Sequence, residues 1–99
     1  MMAYLLGEST VKDFEEWHSS FHDNESYRAE HGEEGYQVFQ SPNNPNEIVV
    51  LFEWDESKDP QAFFESEEMR ERMTEAGLTG RPEMTVLELV DKKPMQQPS

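Results

Sequence analysis

GYQVFQSPNNPNEIVVLFEW, residues 35–54, decides how the chain folds. GYQVFQ (35–40) alternates in polarity and is rich in β-formers, and EIVVLFEW (47–54) is the most β-like run in the sequence. Between them, PNNPN (42–46) sets prolines and asparagines side by side, a strong turn signal. Two strands joined by so short a connection predict an antiparallel hairpin.

On the N-terminal side, AYLLGE (3–8) is short, apolar and β-compatible, and reads as a first strand. Thr10 followed by Asp13 fits the acidic form of a capping box, so a helix is expected from Val11 to about His31, closed by Gly32. On the C-terminal side, Pro60 is a favoured opening residue for a second helix. Its apolar residues do not keep one stripe, because Ala62 and Phe63 are out of phase with Met69, Met73 and Ala76. A break at Ser66 accounts for this, with Ser66 capping a restarted helix whose first turn holds Glu67 and Glu68. Gly77 ends it, and EMTVLELV (83–90) supplies a fourth strand. The order is β-α-β-β-α-β, the ferredoxin-like α+β arrangement of four antiparallel strands with two helices on one face. One domain is expected over residues 1–91, followed by a flexible polar tail, 92–99.

Composition narrows the functions available. The chain has 99 residues, 22 acidic against 8 basic, and a formal charge of −14. Phosphate binding needs clustered Lys and Arg, so nucleic acid and anionic membrane surfaces are excluded as partners. Acid excess with few lysines also suits a high-salt milieu, where self-repulsion is screened; an acidic protein of an ordinary cytoplasm has the same signature. Absence of cysteine removes disulfides, thiol nucleophiles and thiolate metal sites. MMAYLLGEST has neither the basic start nor the apolar run of a signal peptide, and no segment has the roughly 20 apolar residues of a membrane span. A cytoplasmic location is expected.

The strands carry a further demand. Along 47–54, Val49, Leu51 and Glu53 point one way and Ile48, Val50, Phe52 and Trp54 the other. In 83–90, Met84, Val86 and Val90 oppose Thr85, Leu87 and Leu89. Both faces are largely apolar, so both need cover. The helices cover one, and a homodimer packing sheet on sheet is expected to cover the other.

With FEEWHSSF in the first helix, NNPNEIVVLFEWD across the hairpin and FFESEEMRERMTEAGLTGRPEM over the second helix and its exit loop, the chain resembles the antibiotic biosynthesis monooxygenase-like group of the dimeric α+β barrel superfamily. The resemblance runs over roughly residues 3 to 90. It implies a homodimer with a ligand cleft in each subunit, between helices and sheet. The group includes cofactor-free oxygenases of aromatic polyketides and haem-degrading enzymes. The haem-degrading pattern implies a histidine on the second helix, and residues 60–76 contain none.

On a helical wheel of the first helix, Val11, Phe14, Trp17 and Phe21 share an arc with His18, Glu25 and Arg28. Glu25 and Arg28 are spaced to pair at the helix margin, Arg28 could lay its stem on apolar surface with its head in water, and His18 could be a bonded core histidine. Alternatively these polar groups line a cleft. On that reading His18 and Arg28 are the catalytic candidates, as base and as oxyanion holder, and Trp54, Glu25, Trp17 and Tyr36 the substrate-binding ones. His18, His22 and Glu25 have a spacing a metal could use, but no further histidine-rich segment completes a ligand set, so no metal and no cofactor are expected. The functional expectation is a cofactor-independent monooxygenase-like protein acting on a small aromatic or enolisable compound. The alternative is a non-catalytic homodimer that binds a small molecule or regulates.

Overall fold

Strand β3, Glu47–Asp55, sits inside the sheet and organises the rest. In this computed structural model, which describes residues 2–93, every second residue of β3 is buried: Ile48, Val50, Phe52 and Trp54. β1, Met2–Thr10, pairs antiparallel with β3 on one side, with Leu5 opposite Phe52 and Gly7 opposite Val50. β2, Glu33–Gln40, pairs with its other side, with Tyr36 opposite Phe52. β4, Glu83–Leu87, pairs with the outer side of β1. The order β2-β3-β1-β4, all antiparallel, is the ferredoxin-like sheet that the hairpin predicted.

The first helix differs from its expectation at both ends and in the middle. It starts at Phe14, not Val11, because Thr10 stays in β1 opposite Glu47 and the cap is Asp13, whose carboxylate accepts from the Glu16 N–H at 3.0 Å. Val11 is buried in an isolated bridge to Leu78. The helix also divides at Asn24 into α1, Phe14–Asp23, and α2, Glu25–Glu30. There the Asn24 side chain donates to the Ser20 carbonyl at 2.9 Å and accepts from Arg72 Nη1 at 2.6 Å, competing with helical continuation. Gly32 follows at φ +123, a left-handed conformation that glycine takes without strain.

The second helical region breaks at Ser66 as its phase requires. α3, Pro60–Glu65, is followed by α4, Glu67–Glu75, and the Ser66 hydroxyl accepts from the Met69 N–H at 3.3 Å. Gly77 closes it at φ +99. β4 ends at Leu87, three residues short of its expected end, and Val90 is 93% exposed. Of the expected tail, residues 94–99 lie outside the described residues.

Helices on one face bury Trp17, Phe21, Phe63, Phe64 and Met69 against Leu5, Val50, Phe52 and Trp54. Each such side chain contributes about 1.5–3 kcal/mol by leaving water. The opposite face carries Leu6, Val49 and Leu51, half-buried, with Phe39 50% and Leu87 39% exposed. Among the described residues no helix is long and apolar enough to cross a membrane.

Candidate functional site

Arg28 is buried in the core, 1% exposed, on the helix segment that restarts after Asn24. Its Nη1 donates to the Phe21 carbonyl at 2.7 Å, in the last turn of α1, where carbonyls lack helical partners. Its Nε donates to Glu33 Oε2 at the start of β2. The guanidinium carbon lies 3.7 Å from the Phe21 ring centroid and 5.6 Å from that of Tyr36. Nη2 is buried and has no hydrogen-bond partner. Burial pushes the Glu33 carboxyl above its ordinary range, against the pull of Arg28 beside it.

Arg28 therefore does not pair with Glu25, nor does it snorkel. Restarting the helix at Glu25 shifts the wheel, so Glu25 is exposed, 3.9 Å from His22 Nδ1. The same shift turns Tyr27, placed outward by an unbroken wheel, half inward against Phe63, with ring centroids 5.4 Å apart.

Beneath α1 and α4 lies a small cavity of about 50 Å³. Trp17, Phe21, Val50, Phe52 and Phe64 give it apolar walls, and among the described residues Arg28 is its one charged lining residue. Gly7 forms part of the floor, where an added Cβ would stand 3.0 Å from Met84 Sδ. Met69, Met73 and Met84 also line it, flexible side chains that change shape at little cost. At about 50 Å³ the hollow is smaller than the roughly 150 Å³ that holds a benzene ring, so a compound with an apolar body and an acceptor oxygen would reach the unsatisfied guanidinium donor only with the methionines moved aside.

The other candidates fall in different places. Trp17 lines the cavity, and Tyr36 meets Phe21 edge-on at 4.8 Å beside Arg28. His18 is half-exposed, stacked on Phe14 at 5.2 Å and near His22 at 4.6 Å, and does not line the cavity. Trp54, expected at the cleft mouth, is 0% exposed; it packs on Phe63 and Phe64 and donates from Nε1 to the His31 carbonyl at 3.2 Å. Strand alternation turns it under α3, leaving no free ring face. Among the described residues, no group of three or more His, Asp or Glu side chains is gathered as a metal would need.

Sequence reasoning passed over Gly7 and Glu33. A glycine inside an apolar strand signals close approach of another group, and Gly7 could have been found that way. Glu33 lies across a glycine turn from Arg28 with no local pattern to mark it.

A ferredoxin-like α+β domain with an apolar cavity under its helices defines the class. Within that class, the chain belongs to the antibiotic biosynthesis monooxygenase family, whose profile matches residues 8–74. The fold is similar to that of SnoaB, a cofactor-independent oxygenase from Streptomyces nogalater, at 18% identity over 95% of this chain and 98% of that one, TM-score 0.70. It is also similar to a conserved protein from Methanosarcina mazei, at 20% identity over 88% of this chain and 91% of that one, TM-score 0.64. A third similar structure, an antibiotic biosynthesis monooxygenase, has 16% identity over 91% of this chain and all of that one, TM-score 0.65. No curated protein matches the sequence significantly.

Proposed function

We propose that the chain is a cofactor-independent monooxygenase of a small aromatic or enolisable compound, working as a homodimer closed through the open sheet face. The observation that carries the reading is the buried Arg28 with its Nη2 unsatisfied, lining an apolar cavity. Family membership and the likeness to an oxygenase fold support it.

The chemistry suits such a site. An anthrone-like substrate loses a proton to give a carbanion whose charge rests on its enolate oxygen. Arg28 Nη2 donates to that oxygen and lowers the cost of the charge, strongly because the surroundings are apolar. The carbanion passes electrons to dioxygen and forms a peroxide. The O–O bond then breaks, leaving one oxygen as a carbonyl and the other as water. The substrate supplies all the electrons, so no cofactor enters the balance. Among the described residues lining the cavity there is no imidazole or carboxylate, so the first proton goes to water.

That last observation also favours a second reading, a non-catalytic dimer that binds such compounds. Oxygen uptake with 1,8-dihydroxyanthrone, in the presence of a chelator, separates the two. The oxygenase reading expects protein-dependent uptake of one dioxygen per substrate, lost in Arg28→Lys. Binding with uptake no faster than autoxidation overturns it in favour of the binding module.

A further inference from the structure

The chain has no cysteine, so methionine carries all of its oxidisable sulfur. Three of the six methionines, Met69, Met73 and Met84, line the cavity of about 50 Å³. Met73 and Met84 are half-buried and also line a depression of about 570 Å³ that opens to solvent. Met69 is 5% exposed and lines no part of that depression. A small oxidant in the depression therefore meets two of the three thioethers.

Met84 is seated for such an encounter. β4 sets it opposite Gly7, and its sulfur lies 3.0 Å from where a Cβ on that residue would stand. The strand thus closes off one side of the sulfur. An oxygen bonded to it must project away from the strand, into the wall between cavity and depression. Phe64, Leu78 and Pro82 share that wall and are apolar.

We infer that Met73 and Met84 form a reversible oxidation site through which hydrogen peroxide shuts the way to Arg28. A thioether lone pair attacks one peroxide oxygen and the O–O bond breaks. The released hydroxide takes the proton from the transferred oxygen and leaves as water. Sulfur is oxidised to the sulfoxide, and the peroxide is reduced. The product is polar where the thioether was apolar and flexible. Its oxygen needs a donor or water, so the side chain no longer moves aside for an apolar body. The effect on a ligand rests on the proposed function, in taking the cavity as the path to Arg28; the oxidation itself does not.

The test is a timed exposure of the whole protein to hydrogen peroxide, with peptide mass spectrometry. Met73 and Met84 should convert about tenfold or more faster than Met69, which is shielded. Affinity for 1,8-dihydroxyanthrone, followed anaerobically by tryptophan fluorescence, should then fall about tenfold and return after treatment with methionine sulfoxide reductases. The Met73→Leu/Met84→Leu protein should show the same affinity before and after peroxide. Conversion of Met69 at an equal rate, an unchanged wild-type affinity once both sulfoxides have formed, or an equal fall in the variant overturns the inference and leaves the proposed function standing. If the untreated protein does not bind the anthrone, the proposed function falls. The inference is then read from the nitrogen-15 signals of the Arg28 guanidinium, which should shift on oxidation and return on reduction; unmoved signals overturn it.

Discussion

Arg28 grips Phe21 twice, with its guanidinium carbon 3.7 Å from the ring centroid and its Nη1 2.7 Å from the carbonyl oxygen. One side chain thus ties α2 back to the end of α1, and through Glu33 to β2. Removing it breaks a buried ion pair, a carbonyl contact and a ring contact together. Arg28→Ala should cost about 3–5 kcal/mol in urea unfolding, because Glu33 is left buried and unpaired. Arg28→Lys should cost less, since a charge remains beside Glu33. A loss under about 1 kcal/mol for Arg28→Ala would show that the pair is wet and weak.

Glu33 gives the stability a pH dependence of known sign. Burial lifts its carboxyl above the ordinary 4.5, with Arg28 opposing. Between 4.5 and the folded value the native state binds more protons than the unfolded chain. Stability from this group is therefore present below that window and lost as the pH rises through it. Subtracting the curve of Glu33→Gln isolates the effect from the other carboxylates. The wild type should lose stability relative to the variant as the pH rises above 4.5. The opposite slope would mean that Arg28 holds Glu33 below its ordinary value.

Gly32→Ala should be strongly destabilising. The residue has φ +123, and an added Cβ would stand 2.5 Å from Trp54 Nε1. Backbone strain of about 1–3 kcal/mol adds to the displaced Trp54 contact, so a fall of more than about 2 kcal/mol is expected in thermal or urea unfolding. A neutral result would mean that the indole moves freely, against its full burial.

Gly7→Ala separates the cavity from the fold. The nearest atoms to the added methyl are the flexible end of Met84, at 3.0 Å, and the backbone Val50 oxygen, at 3.9 Å. Stability should stay within about 1 kcal/mol, because lost glycine entropy offsets the shift of Met84. Binding of the neutral anthrone should fall at least tenfold. Unchanged binding would place the ligand elsewhere.

The open sheet face should make unfolding depend on protein concentration. If a second copy covers Leu6, Val49, Leu51 and Phe39, dilution lowers the melting midpoint. Leu51→Lys should abolish that dependence and give a monomer in sedimentation. A midpoint independent of concentration in the wild type would contradict the dimer.

The fold was legible because the hairpin is written in strong signals. PNNPN leaves one connection between two β-rich runs, and the phase slip between Phe63 and Met69 locates the Ser66 break from the sequence alone. The Asn24 break was hidden, because asparagine is neutral enough in a helix to leave the apolar spacing of Phe14, Trp17 and Phe21 intact on either reading. At the break the Asn24 side chain bonds back to the Ser20 carbonyl and accepts from Arg72, and the second of these is a tertiary contact that no local pattern records. The break moves Glu25 and Tyr27 off the places that an unbroken wheel gives them. Glu25 turns outward and Tyr27 half inward, while Arg28 lies inside, on the side where the unbroken wheel has it. Trp54 shows the reverse case: alternation placed it on the helix side correctly, but only packing by Phe63 and Phe64 shows that no mouth opens there.

The most direct measurement follows the Arg28 guanidinium itself by nitrogen-15 NMR during an anaerobic anthrone titration. Arg28 should give slowly exchanging signals in the free protein and shift saturably with ligand, while Arg72, engaged by Asn24 and Glu68, stays fixed. Saturable binding that leaves the Arg28 signals unmoved would contradict its role as the donor to the bound oxygen.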